Sequence, residues 1–133
     1  MSVLLDTNAY CAFHQGNADV VKIVENADKV VMSTIVVGEL LFGFYNGTRY
    51  QKNLDLLQSF LAEPDVVAVA VSLSTSERYG FIASSLRSKG RAIPTNDIWI
   101  AAHAIETHAS LVSFDVHFRH VDGIDFIRPG GTG

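Results

Sequence analysis

Val3-Leu4-Leu5-Asp6-Thr7-Asn8 is the stretch that decides the fold. Three apolar residues in succession suit a strand covered on both faces, which is the habit of parallel sheets. Residues 7–15 then read as a helix, and Gly16 stops it. A strand that runs directly into a helix is the first half of a βαβ unit. Asp6 stands at the joint. A carboxylate beside a buried strand is costly unless it is hydrogen-bonded, paired or bound to a cation.

The alternation continues outward from this stretch. Residues 18–26 read as a second helix and residues 30–32 as a second strand. Ser33 is a plausible N-cap for a helix running to about Tyr45, broken by Asn46-Gly47. In residues 48–62, Leu54, Leu57, Phe60 and Leu61 share one helical face, and Pro64 follows the end. Residues 66–71 form a strand. Ser74-Thr75-Ser76-Glu77 has capping-box spacing and opens a helix ending near Gly90. Thr95 or Asn96 caps a helix over 97–107. Residues 109–114 are a strand, and 124–127 a last edge strand. The expected fold is a single-domain three-layer α/β/α sandwich over residues 1–129, with a mostly parallel central sheet. The glycine-rich residues 130–133 are expected to be a disordered tail.

Composition sets limits. A chain of 133 residues with 48% hydrophobic content has the size and apolar share of one cored domain. Charged residues make up 18%, below the usual share of about 25%. This excludes a disordered chain and leaves apolar surface for a partner. The apolar runs are too short to span a bilayer, and no signal-type segment opens the sequence, so a cytoplasmic location is expected. The one cysteine, Cys11, reads as a small packed residue. A formal net charge of −4 excludes a broadly basic nucleic-acid coat. It leaves room for local basic patches, of which Arg87-Ser88-Lys89-Gly90-Arg91 is the clearest.

Three further carboxylates share the placement of Asp6. Glu39 lies on an early turn of the helix after the second strand. Asp97 opens a later helix, and Asp115 follows the apolar run Leu111-Val112-Ser113-Phe114. Open parallel sheets gather such positions at the carboxyl ends of their strands. Each acid alone is equally explained as a negative charge favoured at a helix N-terminus. Together they form a cluster with few cations nearby, which is the ligand chemistry of Mg²⁺ or Mn²⁺.

These residues resemble a known family. Leu4-Leu5-Asp6-Thr7-Asn8 is similar to the opening motif of PIN-domain nucleases. Ser33, Glu39, Leu40 and Gly43 match their second motif. Asn96-Asp97, Trp99-Ile100-Ala101-Ala102 and Ala104 match the third, and Leu111-Val112-Ser113, Asp115, His117 and Phe118 the fourth. Order, spacing and length resemble the compact VapC-type toxins of toxin–antitoxin pairs. The resemblance implies a metal-dependent endoribonuclease whose acids are Asp6, Glu39, Asp97 and Asp115. It implies Asp6 and Asp97 as direct ligands of Mg²⁺ or Mn²⁺, with Asp115 binding directly or through water. Glu39 would complete the shell or orient the attacking water. Thr7 and Asn8 are similar to the neutral residues that orient the first aspartate, and Ser33 supports the second motif. Cleavage leaving a 3′-hydroxyl and a 5′-phosphate is implied, in transfer or ribosomal RNA loops, with a VapB-like antitoxin as inhibitor and a homodimer as the assembly. Two departures stand out. Ser113 occupies a position often held by threonine, and His117 stands where many relatives carry another acid.

Other readings remain beside this one. A PIN-type nuclease of RNA maturation or decay would share the site, and a non-catalytic RNA- or protein-binding PIN domain would share the fold. A phosphotransfer enzyme using Asp6 as nucleophile would want an acid where Asn8 stands. Arg87, Lys89 and Arg91 are the solvated end of a helix or an RNA contact, and His117 a loop residue or a contact to substrate phosphate. His103 reads as a packing or surface residue. Phe42, Phe44 and Tyr45 are core, or a surface for an antitoxin segment or second subunit.

Overall fold

The computed structural model describes residues 1–130 and is an α/β fold built on five parallel strands flanked by six helices. The expected tail at 130–133 therefore falls, apart from Gly130, outside the described residues. In chain order the elements are β1 (Ser2–Leu5), α1 (Thr7–His14), α2 (Ala18–Asn26), β2 (Lys29–Ser33), α3 (Thr34–Tyr45) and α4 (Tyr50–Leu61). There follow β3 (Val66–Val69), α5 (Leu73–Ser88), α6 (Thr95–Glu106), β4 (Ser110–Val112), a 3₁₀ turn (Val116–His120) and β5 (Phe126–Ile127). Among the described residues no helix is long and apolar enough to cross a membrane.

The strand order is β3-β2-β1-β4-β5, and every pairing is parallel. β1 therefore lies at the centre. Val3, Leu4 and Leu5 are all fully buried. Successive side chains on a strand point to opposite faces, so helices must cover both. β4 is likewise buried along its length, while β3 at the edge is half exposed. The chain winds from β1 to β2 and β3 on one side, then returns to place β4 on the other side of β1. This reversal makes the gap between the ends of β1 and β4 the topological switch point, the usual ligand crevice of an open parallel sheet.

Local chemistry sets the helix ends. Gly16 and Gly90 end α1 and α5 in left-handed conformations (φ +80° and +67°), as side-chain-free positions allow. At the end of α6 the left-handed residue is His108, with φ 56°. The turn closes with His108 N–H to the Ile105 carbonyl and Ala109 N–H to the Ala104 carbonyl, at 3.2 and 2.9 Å. Ser33 caps α3 as expected, its Oγ accepting from Ile35 N–H at 3.1 Å.

Two caps differ from the sequence expectation. The capping box of α5 is Ser72 with Thr75, two residues before the expected Ser74–Glu77 pair. Tertiary contact decides it: Thr75 is fully buried and donates to Glu106 Oε1 on α6 at 2.6 Å. Ser72 Oγ donates to the other oxygen of Glu106 at 3.1 Å, so Glu106 is a clasp between two helices and not a freely solvated acid. The helix α6 begins at Thr95 after Pro94, with no side-chain cap. Thr95 and Asn96 are themselves the first two residues of the helix, so neither caps it, and the Asn96 amide reaches towards Glu39.

Candidate active site

Asp6 is the last residue before α1 and is only 7% exposed. It is also the N-cap of that helix, since its Oδ1 accepts the Ala9 N–H at 2.9 Å. Its other oxygen accepts from the Ser113 hydroxyl. The register explains the meeting: Leu5 pairs with Val112, so the next residue on each strand lies side by side. Ser113 Oγ also accepts the Asp115 N–H at 2.9 Å. Asp115 in turn caps the 3₁₀ turn, accepting the His117 N–H at 2.9 Å. The His117 ring closes back on the same carboxylate, Nδ1 to Oδ1, at 2.9 Å.

Glu39 projects from α3. Thr7 Oγ1 donates to its Oε1 at 2.6 Å, and Asn96 Nδ2 to its Oε2 at 3.4 Å. The carboxylate thus sits between the start of α1 and the start of α6. Asp97, the neighbour of Asn96, stands in the first turn of α6, where negative charge suits the helix dipole.

Electrostatics show that the four acids form one group. Burial pushes the Asp97 carboxyl up to about 6, and the charges of Asp115, Glu39 and Asp6 add to the rise. His117 pulls it down. Asp6 is also raised, first by burial and then by Asp115 and Glu39; Ser113 and the Ala9 N–H oppose the rise. Beside the acids lies an open cleft of about 630 Å³, walled by Thr7, Thr34, Gly38, Glu39, Phe42 and Asn96. Gly38 has nothing within 4 Å of where a Cβ would stand, so it keeps the α3 wall low next to Glu39.

The profile of the PIN domain matches residues 3–124, from the first strand to the loop before β5. The chain belongs to the PIN domain family. A ribonuclease named VapC1 from Haemophilus influenzae is 27% identical over 121 residues, covering 87% of this chain and 88% of that protein. Among solved structures, VapBC2 from Rickettsia felis, bound to a DNA fragment from its promoter, superposes with a TM-score of 0.83 at 26% identity. The match covers 96% of this chain and 98% of that one. VapBC-1 from nontypeable H. influenzae gives the same TM-score at 25% identity, covering 96% and 97%.

Within this PIN domain the neutral partners differ from the sequence expectation. Thr7 holds Glu39 and not Asp6, because the α1 helix turns its hydroxyl towards α3. Asn8 is exposed, and the oxygens of Asp6 are already taken by Ala9 N–H and Ser113. Ser113 is therefore the residue that orients the first aspartate. Its signal in the sequence was a hydroxyl at the end of an apolar run, but only the β1–β4 register shows what it meets.

The basic stretch is also divided. Lys89 Nζ is engaged by Asp122 at 2.6 Å and by the His120 carbonyl at 2.9 Å, which withdraws it from a free RNA-contact patch. Arg87 and Arg91 line a separate 420 Å³ pocket with Ile93 and Ile98, beside the start of α6. His117 lies at the site, bound to Asp115. Among the described residues no three carboxylate, imidazole or thiol groups stand close enough to form a ready-made ion cage. The donor set nonetheless suits a hard divalent ion: oxygen ligands, excess negative charge and two aspartates whose ionised forms are disfavoured until a cation arrives.

Proposed function

We propose that this chain is an endoribonuclease of the VapC type, dependent on Mg²⁺ or Mn²⁺ and acting as the toxin of a toxin–antitoxin pair. The observation that carries the reading is the convergence of four acids from separate segments: besides burial, the charges of Asp115 and Glu39 raise the carboxyls of Asp6 and Asp97, and that of Asp6 raises Asp97. The ribonuclease name of the VapC1 relative and the VapBC assembly of the structural neighbours support it.

Asp6 and Asp97 would hold the ion, with Asp115 direct or through water and Glu39 completing the set. The bound ion would supply Lewis-acid chemistry to the scissile phosphate and acidify the attacking water. The chain's own groups do the rest. Ser113 and the Ala9 N–H hold the Asp6 carboxylate in one orientation. Thr7 fixes Oε1 of Glu39 and leaves Oε2, on its longer bond to Asn96, free to accept a proton from water. The cleft beside Gly38 admits a single strand, and unstacked loops of transfer or ribosomal RNA present one. Phe42, 71% exposed, shares that cleft, so an antitoxin segment seated there would shut out RNA. A homodimer and a cytoplasmic location complete the proposal. A covalent role for Asp6 fits poorly, because Asn8 stands where that chemistry wants a second acid.

The test is cleavage of total cellular RNA by the wild type and Asp6→Asn, in Mg²⁺, Mn²⁺ or EDTA, with the ends mapped. Discrete cuts that need the ion and vanish in the variant are expected. Cutting that survives EDTA or the substitution overturns the mechanism.

A further inference from the structure

His103 lies on α6, wholly buried and away from the solvent side of the acids. Its Nδ1 stands 2.8 Å from Ser33 Oγ. The same oxygen accepts the Ile35 N–H and so caps α3. One lone pair of Ser33 Oγ is committed to Ile35. The hydroxyl keeps one hydrogen and a second lone pair, so it bonds Nδ1 in either imidazole tautomer. Nε2 is buried with no partner among the described residues. As core filling alone this is poor, since the ring leaves Nε2 unmet. The specific contribution of the imidazole is therefore its one bond, to Ser33.

That bond is one of two rungs between α3 and α6. The other is Asn96 to Glu39 at 3.4 Å. Glu39 follows Ser33 by six residues on α3, and Asn96 precedes His103 by seven on α6. The helices thus run in opposite directions, with rungs about 9–10 Å apart along each axis. The upper rung is long and exposed. The lower rung is short and buried, so it sets the register in which α3 presents Glu39 to Asp97. We infer that His103 is a positioning residue: through Ser33 it holds the N-terminus of α3 against α6 and fixes Glu39 relative to Asp97. The inference rests on the proposed reading of the acids as ion ligands.

Two substitutions separate bonding from packing. Asparagine at 103 offers an amide near the place of Nδ1 but loses ring volume. Phenylalanine keeps the ring and loses the hydrogen bond to Ser33. The readouts are Mn²⁺ affinity from the electron paramagnetic signal of the free ion and melting temperature. His103→Phe is expected to weaken Mn²⁺ binding about fivefold or more with little change in melting. His103→Asn is expected to melt lower yet bind Mn²⁺ within about twofold of the wild type. Mn²⁺ affinity that simply follows melting temperature in both variants overturns the inference and leaves the ion reading intact. Wild type that binds no Mn²⁺ overturns the ion reading itself, and this inference with it, before any variant is compared.

Discussion

The Ser113 hydroxyl donates to the Asp6 carboxylate across 107 residues of sequence. The same oxygen receives the Asp115 N–H, so one small side chain joins the acid after β1 to the acid after β4. Ser113→Ala strands both partners in a buried place. A loss of about 1–3 kcal/mol is expected from urea unfolding, the usual range for an unmet buried polar group. The Asp6 carboxyl would climb further, since Ser113 now holds it down. Ser113→Thr keeps the hydroxyl and should behave as the wild type; equal damage from both substitutions would contradict the assigned role.

Stability should depend on pH with a definite sign. In the fold Asp97 titrates at about 6, against an ordinary value of 3.8, and Asp6 is raised as well. Between these values the unfolded chain has released protons that the folded chain still binds. Stability of the ion-free protein therefore falls as pH rises from about 4 through about 6, then levels. Mg²⁺ should restore it most on the alkaline side of that window. Thermal melts across pH, with and without the ion, decide this; a melting temperature rising through the window would refute it.

Removing one repelling charge should stabilise the ion-free protein. Asp97→Asn is expected to add about 1 kcal/mol at neutral pH, roughly 4 °C in a domain of this size. The same variant should lose ion-dependent RNA cleavage. A site that is destabilising when empty and necessary when filled gives this trade-off. Parallel melts and cleavage assays on one preparation would show both halves of it.

His108 holds a left-handed conformation that suits glycine. His108→Gly should raise stability by about 1 kcal/mol, the strain relieved at such a position. The residue is exposed at the C-terminal end of α6, away from the acids at its start, so cleavage should not change. A lower melting temperature would show that the imidazole makes a contribution larger than the strain.

Charge interactions with RNA should be uneven within one short stretch. Arg87→Ala or Arg91→Ala is expected to weaken RNA binding and to reduce the salt slope by about 0.7 for each phosphate that is no longer neutralised. Lys89→Ala should leave binding alone and lower stability only slightly, as exposed ion pairs do. Titrations at several salt concentrations check this.

The sequence made much of the frame legible. The apolar triplets of β1 and β4, the Ser33 cap and the Gly16 stop are local patterns, and local patterns are visible without a fold. The partners of the acids were not. That Ser113 meets Asp6 depends on the register of two strands far apart in the chain. That Thr7 and Asn96 converge on Glu39 depends on how three helices approach one another. Ser72 wins the α5 cap over Ser74 only because Thr75 is drawn to Glu106. Lys89 reads as a free basic residue until Asp122 is folded against it.

The first strand lies in the middle of the sheet, and this has a consequence for how the protein is made. During synthesis β1 emerges early, yet one of its two edges must wait for β4. Asp6 acquires its partner only when residues 110–115 arrive. Such long-range pairing slows folding and exposes bare strand edges meanwhile. It also means that a nascent or truncated chain lacking β4 carries no assembled acid cluster. An activity harmful to the cell's own RNA would thus stay silent on the ribosome until nearly the whole domain had been translated.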